Sequence, residues 1–180
     1  MPEEVDPHLL ERFVRGDQAA FEALFRQFQA DVYGWILRIT REPASAEDAL
    51  VEAFWRAFRS RVRFDPSRSF GAWIRRIATN AALDQLRAAR VRAARDSGPI
   101  VHRSDGSDRP APDDLGESIR VAFDRLPPRL AAVATLALIE ERPYAEIAEA
   151  LDVPIGTVKS RVFRATRLLR EELARLGVTP

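Results

Sequence analysis

Apolar residues recur at intervals of three and four along most of the chain, which is the spacing of a helix with one buried face. No stretch of alternating apolar and polar residues bounded by turn signals indicates a β-strand. The pattern therefore predicts an all-α protein. The longest apolar stripe predicts one long helix and comprises Phe21, Leu24, Phe25, Phe28, Val32, Trp35, Ile36 and Ile39.

Two further helices are predicted in the first half of the chain. One begins after Pro43, with Ser45 as the candidate N-cap, and ends at about Ser60. Pro66 disfavours helical backbone at the residue before it, so residues 63–69 are expected to form a loop. Ser69 can cap the next helix, which is predicted from about Phe70 to Arg90.

The helical periodicity stops between Ala94 and Leu115, where glycine and proline are interleaved with serine and aspartate. This composition is typical of a flexible linker. It divides the chain into a first helical domain of residues 1–93, an acidic linker of residues 94–115 and a second helical domain of residues 116–180. About 22 extended residues span at most roughly 75 Å, so the two domains could act at separate places.

The second domain contains a helix-turn-helix pattern. After the Pro127-Pro128 break, residues 129–140 predict a buried helix, residues 144–151 a short helix and residues 155–176 a longer one. Ala148 is the small residue at which the last helix can cross the short one. Asp152 stands in the turn, where aspartate tolerates left-handed backbone better than most residues do. The predicted shared core consists of Ile147, Leu151, Val153, Val158 and Val162.

Charge is distributed unevenly along the chain, although the formal net charge of its 180 residues is only +1. Residues 61–95 carry nine basic and two acidic side chains, a net charge of +7, which favours a polyanionic partner. The chain has no cysteine, and neither histidine lies in a metal-ligand or nucleophile motif. No apolar run approaches the roughly 20 residues of a membrane span. We therefore expect a cytoplasmic protein that is not an enzyme and holds no metal or cofactor.

The helix predicted after the turn has the chemistry of a major-groove reader. At 100° per residue, an apolar seam of Ile155, Val158, Val162, Ala165 and Leu169 lies opposite a basic face. Arginine can bond guanine or contact phosphate, and Phe163 can lie against a thymine methyl group. A solvated arginine face is the alternative, but the preceding short helix disfavours it. The candidate DNA contacts are Thr157, Lys159, Ser160, Arg161, Phe163, Arg164 and Arg167.

A mixed aromatic and polar stripe follows the helix predicted from Phe70. Trp73, Arg76, Asn80, Asp84 and Arg87 project within about 80° of one another. Because tryptophan stacks on unpaired bases and an asparagine amide can bond a base edge, the stripe suits single-stranded DNA. The alternative is a solvated face with tryptophan at the edge of the core.

An exposed strip is also predicted on the helix that ends near Ser60, where Asp48, Glu52, Trp55 and Arg59 point away from the apolar residues. Acidic side chains around one tryptophan fit a protein contact, because aromatic residues dominate binding hot spots. An ordinary amphipathic helix is the alternative.

Three segments resemble bacterial RNA polymerase sigma factors. EIAEALDVPIGTVKSRVFRATRLLREEL resembles the helix-turn-helix that binds the minus-thirty-five promoter element. FGAWIRRIATNAALDQLR resembles the segment that melts the minus-ten element, and SAEDALVEAFWRAF resembles the segment that docks on the clamp coiled coil of the largest polymerase subunit. Two residues depart from the family pattern: Asp152 stands where the family usually has glycine, and Val51 stands where it often has glutamine.

The resemblance covers about residues 8–91 and 115–176 and leaves no room for the additional domains of larger sigma factors. It therefore implies the extracytoplasmic-function (ECF) group, with polymerase core, duplex and melted promoter DNA, and an anti-sigma factor as partners. It also implies that a loop containing Phe64, Asp65, Ser67 and Arg68 takes up a flipped promoter base. A DNA-binding regulator that acts without polymerase is the alternative. It would leave two surfaces without a function: the stripe from Trp73 to Arg87 and the exposed strip from Asp48 to Arg59.

Overall fold

The computed structural model describes residues 5–96 and 115–178, and all regular structure in these two ranges is helical, as predicted. The predicted linker falls mostly outside the described residues, although its first positions continue a helix and Leu115 begins the next one. The helices are α1 (Pro7–Val14), α2 (Gln18–Thr40), α3 (Pro43–Ser60), α4 (Phe70–Asp96), α5 (Leu115–Arg125), α6 (Pro128–Ala134), α7 (Tyr144–Leu151) and α8 (Ile155–Arg175).

Helices α2, α3 and α4 pack against one another and form the core of the first half. The start of α3 corrects the sequence prediction, because Glu42 is the N-cap and its carboxylate accepts a hydrogen bond from the Ser45 amide at 3.0 Å. Proline fits the first turn of a helix, where its missing N–H needs no partner, so the helix begins at Pro43. Hydrogen bonds from the side chain and amide of Ser45 lower the pKa of Glu42.

Helix α4 begins as predicted, because the Ser69 hydroxyl accepts a hydrogen bond from the Ala72 amide at 3.2 Å. It continues to Asp96, six residues beyond the predicted end at Arg90. Alanine and arginine are good helix formers and no glycine or proline intervenes, which accounts for the extension.

An aromatic cluster joins the loop before α4 to the N-terminal helix. The ring of Phe13 in α1 lies 5.5 Å from that of Phe70, and the ring of Phe64 lies 4.8 Å from that of Trp73. Phe64 is only 4% exposed. The cluster therefore anchors the loop of residues 64–69 on the first half of the protein.

The second half contains the predicted helix-turn-helix, formed by α7 and α8. Asp152 ends α7 with φ 53° and ψ 51°, which confirms the left-handed turn. Beneath the turn, Ile147 of α7 packs with Val158 of α8, and both are buried. The buried helix predicted over residues 129–140 is instead α6 followed by a π-helical turn, Thr135–Ile139.

The two halves contact each other, because α6 and α7 both pack on α4. The apolar core is continuous across this contact and includes Ile74 from the first half and Leu136 from the second. Within residues 5–96 and 115–178, no helix is long and apolar enough to cross a membrane.

Candidate nucleic-acid interface

Helix α8 presents its basic face to solvent. Lys159, Ser160, Arg164 and Arg167 are exposed, and Phe163 is 75% exposed. Most of the predicted seam is buried beneath them, but Ile155 is largely exposed, because it is the first residue of the helix and lies at the turn. The exposed face therefore combines cations, a hydroxyl and one aromatic ring, which can contact both phosphates and base edges.

Thr157 and Arg161 lie deeper on the same face. The Thr157 carbonyl accepts a hydrogen bond from the Ser160 hydroxyl at 3.0 Å. Burial and the nearby Arg129 lower the pKa of Arg161. Arg129 at the start of α6 joins Arg161 and Arg164 in one cleft, a convergence of positive charge that an anion would relieve. Sequence reasoning missed Arg129, because it stands outside the helix-turn-helix.

On α4, the predicted stripe has one exposed carboxamide and one carboxylate that is engaged in ion pairs. Asn80 is exposed, and its Nδ2 atom donates to the Arg76 carbonyl at 3.1 Å. Asp84 accepts hydrogen bonds from Arg56 and Arg87, both at 2.8 Å. Asp84 is thus part of an ion network, whereas the Asn80 carboxamide keeps an acceptor oxygen for a base.

The loop before α4 is held in shape by Asp65. Its carboxylate accepts from the Ser67 hydroxyl at 2.7 Å and from the Ser67 amide at 3.0 Å, and these bonds lower its pKa. Arg68 lies 3.6 Å from the same carboxylate. The Asp65 carboxylate is therefore charged near neutral pH and keeps the loop preorganised.

A cleft of about 640 Å³ lies beside this loop. Asp65, Arg68, Trp73 and Arg76 line it, together with Ser69 at the end of the predicted loop and Arg63, which sequence reasoning did not include. Trp73 is partly buried in the aromatic cluster and has one edge in the cleft. Phe64 also lines the cleft, but its ring is buried, so its place in the structure is that of an anchor for the loop and not of an exposed stacking surface.

On α3, Asp48 and Arg59 are exposed and Trp55 is 55% exposed. Glu52 is half-buried and accepts a hydrogen bond from Arg56 at 2.7 Å, and Arg56 in turn reaches Asp84 on α4. The hydrogen bond that Arg56 donates to Asp84, followed by the one that it donates to Glu52, raises the pKa of Arg56.

An apolar groove of about 450 Å³ runs beside Trp55 and is lined by Phe21, Phe25, Val51 and Phe54, with Glu22 and Arg26 at its rim. Sequence reasoning assigned Phe21 and Phe25 only to the core. The exposed Val51, an apolar residue on the outer face, is the signal that marks the groove in the sequence.

Comparison with known proteins assigns both halves to one family. The family model of Sigma-70 region 2 matches residues 24–92, and that of Sigma-70, region 4 matches residues 116–169. The RNA polymerase sigma-H factor of Pseudomonas aeruginosa is 31% identical over 96% of this chain and 96% of its own length. The ECF RNA polymerase sigma factor SigW of Bacillus subtilis is 32% identical over 88% of this chain and 91% of its own length.

Two solved structures share the fold. CnrH in complex with the cytosolic domain of CnrY has a TM-score of 0.58 at 23% identity and covers 95% of this chain and 98% of its own. The sigma factor RpoE in complex with the anti-sigma factor NepR from Bartonella quintana has a TM-score of 0.54 at 24% identity, covering 86% and 96%. The matched regions and the relatives identical at more than 30% along most of the chain show that it belongs to the sigma-70 family, in the ECF group of RNA polymerase sigma factors.

Proposed function

We propose that this chain directs RNA polymerase core to specific promoters and initiates transcription there, and that it supplies recognition and strand opening but no catalysis. The observation that carries this proposal is the presence of two separate candidate DNA surfaces, one in each matched region. The surface on α4 and its loop suits melted DNA, and the surface on α8 suits duplex DNA.

Helix α8 reads the minus-thirty-five element in this proposal. Arg164 and Lys159 are exposed on the face opposite the buried seam, so the helix can enter the major groove without disturbing its core. Arg161 and Arg129 add positive charge at the edge of that face, where the phosphate backbone would lie.

Helix α4 and the loop of residues 64–69, here called the Asp65 loop, take up the minus-ten element once its strands separate. Asn80 offers an exposed amide for a base edge, and the cleft beside the loop has room for an extruded base. Arg68 and Arg76 line the same cleft and can neutralise the phosphates of that strand.

Helix α3 binds the polymerase core in this proposal. Trp55 lies next to an apolar groove, and Asp48 and Glu52 provide acidic side chains beside it. An aromatic anchor at a groove with a charged rim is the usual composition of a protein-binding hot spot. The expected partner surface is the clamp coiled coil of the largest polymerase subunit.

An anti-sigma factor is a further proposed partner, because the solved structure of the relative RpoE contains the anti-sigma factor NepR. We also propose that the chain acts in the cytoplasm, where polymerase and promoter DNA are found.

Transcription by purified core polymerase on genomic DNA, followed by sequencing of the transcripts, tests the function. Adding this chain should produce transcripts with defined starts that core polymerase alone does not make. An Arg164→Ala variant should lose these starts, whereas Arg15→Ala, which removes the exposed arginine directly after α1, should keep them. Specific DNA binding without specific starts would favour the polymerase-independent regulator instead.

A further inference from the structure

Helix α7 covers part of α4 through a mostly buried ion pair. The Nη1 atom of Arg75 lies 2.7 Å from Oε1 of Glu146, and the two side chains are only 17% and 22% exposed. Glu146 also lies 3.9 Å from Arg142 in its own half. The carboxylate thus joins an arginine of the first half to one of the second.

The same two arginines meet on one tryptophan. The guanidinium groups of Arg75 and Arg142 lie 5.0 Å and 6.0 Å from the ring centroid of Trp35. Trp35 is buried, and its indole N–H donates to the Thr79 hydroxyl at 2.9 Å. A cation over a desolvated aromatic ring is stabilising, so this arrangement strengthens the contact between the halves.

Carboxylates from the second half also enter the cleft beside the Asp65 loop. Asp152 lies 3.3 Å from Nη1 of Arg76, and Glu149 of α7 lines the same cleft. A phosphate that entered this cleft would face the carboxylates of Glu149 and Asp152 on one wall. Arg76, which could otherwise bind the phosphate, is already paired with Asp152. These carboxylates therefore disfavour a DNA strand in the cleft while α7 is in this position.

Further contacts between the halves lie away from the cleft. Arg38 of α2 lies 2.7 Å from the carboxylate of Glu140, and Arg41 lies 5.2 Å from the ring centroid of Phe123. Arg90 near the end of α4 donates to the carbonyl of Asp124 at 3.1 Å and also to that of Leu126. Arginines of the first half thus contact the second half at several places outside the cleft.

We propose that α7 and its turn compete, within the same chain, with single-stranded promoter DNA for the arginine surface of α4. The inference rests on the proposed role of α4 in binding the melted strand. The basic face of α8 stays exposed in this closed arrangement, so the closed chain can contact duplex DNA. It must open before the cleft receives a melted base.

The test variant is Glu146→Gln/Asp152→Asn, which keeps side-chain shape and removes two ion pairs between the halves. Asparagine tolerates the left-handed backbone of position 152, so the turn is preserved. The matched control is Glu47→Gln/Glu141→Gln. It removes two exposed carboxylates without touching an ion pair between the halves.

The first measurement follows the distance between the halves in the full chain. The chain has no cysteine, so spin labels will attach only at the two introduced cysteines, Gln27→Cys and Ala174→Cys. Both positions are exposed, on α2 and α8 respectively. Electron spin resonance should give one narrow distance distribution for the parent chain and the control, and a broad one for the test variant. Equal distributions in the test variant and its parent would overturn the closed arrangement.

The second measurement is the affinity of the same proteins for a short random-sequence pool of single-stranded DNA. Loss of partly exposed ion pairs shifts the equilibrium between the closed and open arrangements only modestly. The test variant should therefore bind between about fivefold and thirtyfold more tightly than the control. Equal affinities despite a broadened distance distribution would show that α4 does not bind the strand, which contradicts the proposed function. An unchanged distribution contradicts the closure itself, so the two failures are distinguishable.

Discussion

At the scale of single residues, Asn80 offers the sharpest test of strand opening. Its exposed amide can capture a base only after the base leaves the duplex, so Asn80→Ala should leave closed-complex affinity nearly unchanged. A loss of about 2 kcal/mol in the open complex should reduce the open fraction about thirtyfold where opening is nearly balanced. Permanganate reactivity of thymines near the start site measures this fraction.

A premelted template provides the control for Asn80. Its strands are already apart, so it should restore part of the activity of Asn80→Ala but none of that lost by Arg164→Ala, which acts on duplex DNA. If wild type and Asn80→Ala gave equal permanganate reactivity on duplex promoter, the assignment of opening to this surface would be wrong.

At the scale of elements, α3 joins an apolar groove to an ion network, and the two can be tested separately. Trp55→Ala removes the aromatic anchor, so the Kd for core polymerase should rise roughly thirtyfold, or about 2 kcal/mol. Glu52→Ala should also weaken binding, but it releases Arg56 from one partner, and part of its effect should appear as a lower Tm. Fluorescence titration with core polymerase measures the first effect and circular dichroism the second.

Glu47→Ala changes an exposed residue of the same helix that lies outside the strip, so it serves as the control for α3. Native-like circular dichroism together with undiminished core affinity in Trp55→Ala would contradict the docking role of α3.

The turn between α7 and α8 is strained at Asp152, whose φ is +53°. Asparagine tolerates this conformation and alanine does not, so Asp152→Ala should be about 1 kcal/mol less stable than Asp152→Asn. For a chain of this size the difference amounts to about 2 to 4 °C in Tm. Both variants lose the ion pair with Arg76, but asparagine keeps an oxygen that can accept a hydrogen bond from Arg76. The two variants are therefore compared in an Arg76→Ala background, where equal Tm values would show an unstrained turn.

At the scale of the whole molecule, Trp35 reports on the contact between the halves. The chain has three tryptophans, and replacing Trp55 and Trp73 by phenylalanine leaves Trp35 as the only fluorophore of that kind. In that background, Glu146→Gln/Asp152→Asn should shift the emission of Trp35 to the red. When the halves separate, Arg142 and α7 move away from Trp35, and its ring becomes exposed to water. Unchanged emission would indicate that opening does not expose this site.

Local patterns in the sequence predicted most of the helices and the division of α8 into a buried and a basic face. Helical periodicity depends only on neighbours three and four residues away, and Ile74, Ala78, Val158 and Val162 are buried as that spacing requires. The left-handed Asp152 was predictable for the same reason, since a turn depends on the few residues around it. The end of α4 and the N-cap of α3 differ from their predicted positions, because small local energy differences decide where a helix begins and ends.

Tertiary structure alone decided which side chains remain available for function. Phe64 stands in a predicted surface loop, yet Phe13 and Phe70, distant in sequence, surround it. The pairing of Arg75 with Glu146 joins residues 71 positions apart, a contact on which periodicity carries no information. By itself the sequence therefore determined the helices and their amphipathic faces. Only the packing of distant segments decided that α7 lies on α4, because burial and ion pairing depend on which faces meet.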